Sequence, residues 1–142
     1  MIRAAQARDA ETVRCLIREY ADGLGIDLSF QDLESELADP LAFYETVLLT
    51  EGGCVALRRI DERTCELKRL YVRPDARGRG LGRRLAQAAI AAARAGGYER
   101  IVLDTLPTMA EARALYASLG FRETAPYRFN PVPGTSFLEL VL

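Results

Sequence analysis

The chain contains no histidine. That absence excludes Ser-His-Asp and Cys-His catalysis and any histidine acting as general base. Acid–base chemistry must then come from Asp, Glu, Tyr, Cys or Lys, or pass through water. Cysteine is scarce: Cys15, Cys54 and Cys65 lie far apart and form no CxxC pair. Without histidine a zinc site would need unusual ligands, so no metal is expected. The three cysteines read as reduced thiols in or near the core. Long apolar runs are missing too. The longest, after Gly82, is alanine-rich and broken by Gln87 and Arg94, too short and too weakly hydrophobic for a membrane span. The first residues, MIRAAQARDAE, turn charged at once and hold no apolar signal core, which makes a cytoplasmic protein without a membrane partner the expectation. No repeat, low-complexity tract or polar linker divides the 142 residues, so one domain over residues 1–142 is expected.

Charge is plentiful and uneven. Residues 1–60 hold 6 Arg against 11 Asp and Glu, whereas residues 61–142 hold 13 Lys and Arg against 9 Asp and Glu. Lys68, Arg69, Arg73, Arg77, Arg79, Arg83 and Arg84 fall within seventeen positions, with only Asp75 opposing them. Such a field suits a small polyanion. Nucleic acid is not the expected partner, because the whole chain is slightly acidic and the patch is short.

The periodicities point to a mixed α/β domain. Ile2–Ala5 suits a short strand. Asp9 stands where an N-cap belongs, ahead of Val13, Leu16, Ile17 and Tyr20 at helical spacing. Gly23-Leu24-Gly25-Ile26 ends that helix. A second helix is expected over Phe30–Ala38, with Ser29 as cap and Asp39-Pro40 as stop. Thr46–Thr50 and Cys54–Ile60 form a hairpin around Glu51-Gly52-Gly53. A turn at Asp61–Thr64 leads into the strand Cys65–Val72. The alanine-rich stretch after Gly82 is a helix ended by Gly96-Gly97, and Ile101–Thr105 is a buried strand. Strand, helix, strand in this order predicts a parallel pair with a right-handed crossover. Pro107-Thr108 opens the next helix, with Thr108 and Glu111 spaced as a capping box and Gly120 at its end. Phe121–Thr124 and Ser136–Leu142 are the last strand candidates.

The stretch Glu66–Arg84, ELKRLYVRPDARGRGLGRR, concentrates the chemistry. Gly78, Gly80 and Gly82 do not form GxGxxG, and no Gly-Lys-Ser/Thr follows at P-loop spacing, so dinucleotides and nucleoside triphosphates are disfavoured. A glycine loop at a helix N-terminus, flanked by arginines, suits a pyrophosphate. A glycine-rich turn with solvated arginines is the plainer alternative.

Arg77-Gly78-Arg79-Gly80-Leu81-Gly82 resembles the Q/R-x-x-G-x-G/A signature of the GCN5-related N-acetyltransferases (GNAT). Ala112–Phe121, ARALYASLGF, resembles the family's second signature, a helix followed by Tyr-x-x-x-Gly-Phe. The resemblance covers Cys54–Phe121 well, and the first 45 residues only in architecture. It implies a GNAT-like acyl-CoA acyltransferase fold, an α/β domain whose mixed central sheet combines antiparallel N-terminal strands with a βαβ unit, flanked by about four helices. It also implies acetyl-CoA as donor. The pantetheine arm would pair with Leu70, Tyr71 and Val72, and the pyrophosphate would rest on Arg77, Gly78, Arg79, Gly80, Leu81, Gly82 and Arg83. The acceptor would be a primary amine of a small molecule or peptide, attacking the thioester directly. A non-catalytic acetyl-CoA-binding regulatory module is the alternative, and a homodimer is left open.

By the same resemblance Tyr116 is the general acid. Two residues compete as base, Glu66 and Asp104, with Glu66 preferred and a water relay as a third route. Their plainer readings are Glu66 paired with Lys68 or an arginine, and Asp104 capping the next helix. Where the family often has an Asn that binds the pantetheine arm, this chain has Met109, so that contact is either lost or taken over by another residue, with Thr108 the candidate. The acceptor pocket is expected from residues 20–45 and 123–134, through Tyr20, Asp22, Asp27, Phe30, Tyr44, Tyr127, Arg128 and Asn130, with Arg128 able to hold a carboxylate.

Overall fold

The computed structural model describes residues 1–142 except for the side chain of Phe30, so the expectation for Phe30 lies outside the described residues. A short strand, β1 (Arg3–Ala4), leads into α1 (Ala10–Leu24). Asp9 does not cap this helix with its side chain. Its carboxylate turns back to accept from Gln6 N–H at 2.8 Å and from Arg3 at 2.7 and 2.9 Å. Gly25, at φ +66°, ends α1 in the left-handed region that glycine enters without penalty.

The single helix expected over 30–38 is broken. A 3-10 turn at Ser29–Gln31 is followed by a left-handed Asp32, φ +60°, and only then by α2 (Leu33–Ala38). Asp39-Pro40 ends α2 and also starts α3 (Pro40–Phe43): Asp39 Oδ1 accepts from Ala42 N–H at 3.2 Å, and proline fills the first helical position.

Five more elements carry the sheet's first half and its crossover: β2 (Thr46–Thr50), β3 (Gly53–Arg59), β4 (Thr64–Val72), α4 (Leu81–Ala95) and β5 (Arg100–Thr105). They are followed by α5 (Ala110–Ser118), β6 (Arg122–Glu123) and β7 (Ser136–Val141). The strand order is β1-β2-β3-β4-β5-β7-β6, antiparallel throughout except for the parallel β4–β5 pair. The domain is therefore α/β, with five helices around a seven-stranded mixed sheet.

Helices cover both faces. Val13, Leu16 and Ile17 of α1 pack on Val47, Leu49, Cys54 and Ala56. On the opposite face Leu85, Ala89 and Tyr116 pack on Val55, Leu57, Cys65, Leu67, Ile101 and Leu103. Double-sided burial explains why β3 reads as a nearly continuous small apolar run instead of alternating.

Two irregularities in β4 position the site. Its register on β3 shifts by one residue between the pairs Ala56–Lys68 and Cys54–Tyr71, and Arg69 there has φ +58°. This is a β-bulge. Its pairing with β5 also stops early, covering only Thr64–Glu66 against Arg100–Val102. Beyond Glu66 the two strands part, while β5 stays paired with β7 along its full length. A cleft opens in the middle of the sheet.

Candidate active site

The glycine loop follows β4 through a 3-10 turn at Pro74–Ala76. Gly78 and Gly80 sit at φ +82° and +74°, and no atom lies within 4 Å of where a Cβ would stand on either. Glycine is thus required there by backbone conformation, not by crowding. Gly80 is the N-cap of α4, whose first intrahelical bond runs from Arg84 N–H to Gly80 O at 3.1 Å. The N–H groups of Leu81, Gly82 and Arg83 are left without helical partners, a donor cluster at the positive end of the helix dipole.

The arginines do different jobs. Arg77 donates to Val72 O at 2.9 Å and stands over the Tyr71 ring at 5.9 Å. Arg83 donates to Ser118 Oγ at 2.8 Å, tying the start of α4 to α5. Arg73 is paired with Glu19 at 2.9 Å, and Arg69 with Glu36 at 2.7 Å. Two of the seven cations counted in this stretch are therefore neutralised from the N-terminal helices, and the field is weaker than the sequence count implies. Of the ten residues expected to bind the coenzyme, Leu70, Tyr71, Val72, Arg77, Gly78, Gly80, Leu81 and Gly82 line one groove. Arg79 and Arg83 do not. Thr108, Met109 and Leu115 form the groove's other side.

The bulge sets the second half of the site. Cys65 and Leu67 face the α4 side, so Glu66 and Lys68 face α1 by strand alternation. The extra residue then leaves Arg69 on that same face. Its guanidinium donates to both oxygens of Glu36, at 2.8 and 2.7 Å, and stands over the Tyr20 ring at 5.2 Å. Tyr44 also donates to Glu36. Tyr44, expected in the pocket wall, is instead buried beneath the sheet in this ion-pair cluster. Asp22 and Asp27 are exposed, and Asp27 accepts from Ser29 N–H at 2.8 Å. Tyr20 and Asn130 do line the cleft, with Gln31, Lys68, Asp104, Thr105, Met109 and Tyr116.

Tyr116 is fixed by the end of its own helix. Phe121 N–H bonds to Tyr116 O at 3.0 Å and Gly120 N–H to Ala117 O at 3.1 Å, with Gly120 at φ +98°. These are the paired bonds of a Schellman end, and the accompanying apolar contact is Phe121 against Tyr116, ring centroids 5.5 Å apart. The Tyr-x-x-x-Gly-Phe spacing thus locks the tyrosine. Burial, then Tyr20 and Asp104, push its phenol well above the usual range, so it stays protonated. The capping box expected at Thr108 and Glu111 does not form. Leu106 O accepts from Met109 N–H at 3.0 Å, and α5 starts only at Ala110, with Met109 as N-cap.

The two acidic candidates differ. Glu66 is buried and accepts from Tyr127 OH at 2.5 Å and Arg128 Nη1 at 3.0 Å. Its partner is an arginine, as its plainer reading allowed, and it does not line the cleft. Burial and Glu66 push the Tyr127 phenol upward in turn. Arg128, read as able to hold a carboxylate, is paired with the carboxylate of Glu66. Asp104 lines the cleft and accepts from Asn130 Nδ2 at 3.0 Å on one oxygen. It caps no helix. Sequence reasoning did not single out Gln31 and Glu36 as parts of the site, and treated Lys68 only as one of the clustered cations and as a partner for Glu66. Nothing local marks these residues, because the bulge and α2 bring them together. Among the described residues, no group of three or more Cys, Asp or Glu side chains is placed to hold a metal ion, and no helix is long and apolar enough to cross a membrane.

Comparison with known proteins places this geometry. The model of the acetyltransferase (GNAT) family matches residues 16–121. An uncharacterized N-acetyltransferase of Schizosaccharomyces pombe is 39% identical over 144 residues, covering 94% of this chain and 88% of the relative. Two further relatives are matched over only 37% and 47% of their own lengths. The crystal structure of an acetyltransferase from Streptococcus agalactiae superposes with a TM-score of 0.79 at 24% identity, over 100% of this chain and 98% of the other. A Salmonella typhimurium protein described as an acetyltransferase with its cofactor acetyl-CoA superposes at 0.69 with 25% identity, over 99% and 92%.

Proposed function

The chain belongs to the acetyltransferase (GNAT) family and is an N-acetyltransferase; from that premise we propose that it moves the acetyl group of acetyl-CoA to a primary amine, with Tyr116 as acid and Asp104 as the acceptor-side base. The observation that carries this reading is the meeting of Asp104 and Tyr116 in one cleft, at the point where β4 and β5 part. The Salmonella protein with acetyl-CoA supports the donor.

The residues suit that donor. The free edge of β4 at Leu70–Val72 offers backbone groups to an amide-bearing arm, and the unpartnered N–H groups at the start of α4 suit a pyrophosphate. Arg77, Gly78, Gly80, Leu81 and Gly82 form that end of the groove, with Arg79 and Arg83 at its exposed margin. In the reaction the acceptor nitrogen attacks the thioester carbonyl carbon. A C–N bond forms, the C–S bond breaks, and the thiolate takes a proton. Tyr116 is held protonated and faces the cleft, which suits it to give that proton. Asp104 keeps an oxygen beyond the one engaged by Asn130, which suits it to take the proton of the incoming ammonium directly or through water. Glu66, the base preferred from sequence, has Tyr127 and Arg128 on its carboxylate, and we assign it to orienting the 127–130 segment.

Free-thiol release with an amine panel tests these roles. Tyr116→Phe and Asp104→Asn should each lower kcat by roughly 10²–10⁴, the range of general acid–base catalysis. Glu66→Gln should lower it less and cost mainly stability. A Glu66→Gln loss larger than that of Asp104→Asn would reverse the assignment. Acetyl-CoA should raise the melting temperature of all three variants, since none lies in the glycine loop.

A further inference from the structure

Among the described residues, Lys68 is the one cation of the cleft whose charge the fold does not answer. It is 5% exposed and lines the same narrow cavity as Asp104 and Tyr116. Its Nζ donates to Gln31 Oε1, a neutral acceptor, at 3.2 Å. Among the described residues no carboxylate stands within 4.0 Å of it. The carboxylates nearest in charge terms are taken: Glu36 by Arg69 and Tyr44, Glu66 by Arg128 and Tyr127. A buried ammonium without a counter-ion is costly. It has three donors, and Gln31 accepts from one. Burial first, then Arg69, hold its amine down to about 8, with Glu66 pulling the other way.

We propose that Lys68 is a specificity-determining residue that holds the carboxylate of the acceptor, so that the substrates are free amino acids or similar amino-carboxylates. The proposal rests on the acetyl-transfer reading above. The cleft then offers a cation and an anion, Lys68 and Asp104, to the two ends of a zwitterion. Each has one neutral amide partner, Gln31 for Lys68 and Asn130 for Asp104, which orients the side chain without discharging it. Arg128 pairs with Glu66 and does not line this cavity. A plain amine or a second cation would leave the buried ammonium unanswered, so lysine side chains and polyamines are disfavoured.

The test compares common amino acids with their own amides and with the corresponding decarboxylated amines, at saturating acetyl-CoA, in the parent and in Lys68→Met. Thiol release and acetylated product are both measured. In the parent at least one free acid should exceed its amide in kcat/KM by roughly tenfold to a hundredfold, the worth of a hydrogen bond to a charged group. In Lys68→Met that ratio should fall to near one. The acetyl-CoA thermal shift of the variant, matched to the parent, shows that it is folded. A parent that turns over amides or plain amines as well as acids overturns the carboxylate assignment and leaves the acetyl-transfer reading standing. So does a Lys68→Met ratio equal to the parent's. A parent that releases thiol with none of these compounds overturns the carboxylate assignment, and overturns the acetyl-transfer reading too when acetyl-CoA does not stabilise it.

Discussion

The two walls of the cleft are made of different material. The glycine-loop wall is backbone: positive-φ glycines, the free N–H groups of Leu81–Arg83, and the open edge of Leu70–Val72. The wall facing α1 and α2 is side chain: Arg69 and Tyr44 on Glu36, Lys68 on Gln31, Asp104 on Asn130. A backbone wall fails when a residue cannot adopt the required φ. A side-chain wall fails when a buried charge loses its partner. Within the second wall the contrast sharpens again, for the bulge delivers two adjacent cations to one face and only one of them is neutralised.

The largest expected effect tests the neutralised cation. Glu36→Gln should destabilise the fold by about 3–5 kcal/mol, the usual penalty for stranding one partner of a buried pair, read from urea unfolding. A loss below about 1 kcal/mol would mean that water reaches Arg69 and that the two cations are alike.

Next comes the other cation, with the opposite sign. The Lys68 amine sits at about 8 in the folded chain against 10.5 for the free group. Between those values the unfolded chain binds the proton that the folded chain has lost, so stability rises with pH across that window. Below it, the charged lysine destabilises the fold. Lys68→Met should therefore be more stable than the parent at pH 7, by an amount on the order of 2 kcal/mol, and the gap should close as pH passes 8 towards 10.5. A variant less stable than the parent at pH 7 would remove the contrast with Arg69.

The smallest effect belongs to the backbone wall. Gly80→Ala should lower stability by about 1–2 kcal/mol, the penalty for a Cβ in the left-handed region, and should reduce the acetyl-CoA thermal shift as the start of α4 moves. Since nothing crowds Gly80, a variant as stable as the parent would show that the loop relaxes freely.

This division also explains what could be read from the chain alone. The glycine-loop wall is contiguous, so Arg77–Gly82 and the strand before it declared themselves. The Tyr116–Gly120–Phe121 spacing did too, because a helix end is local chemistry. The hairpin at Gly52, the βαβ crossover and the stop at Gly25 were legible for the same reason. Side chains whose partners lie outside their own element were not. Asp9 looked like a cap until Arg3 drew it backwards. Tyr44 looked like a pocket aromatic until Glu36 and Arg69 claimed it. Nor was it legible that Tyr127 and Arg128, some sixty residues on, bond to the Glu66 carboxylate. The bulge at Arg69 had no signal of its own, since arginine is an unusual occupant of positive φ, and its ion pair with Glu36 compensates for that strain.

The early parting of β4 from β5 has one more consequence. An open strand edge is ordinarily an invitation to other chains, and proteins blunt such edges to avoid aggregation. Here the edge after Glu66 lies inside the sheet, recessed between Tyr20 and Leu24 on one side and Met109 and Leu115 on the other. A polypeptide strand, with side chains on both faces, would have to displace these flanking residues to pair there. The break in the sheet is thereby protected from the partners that would be most numerous in a crowded solution.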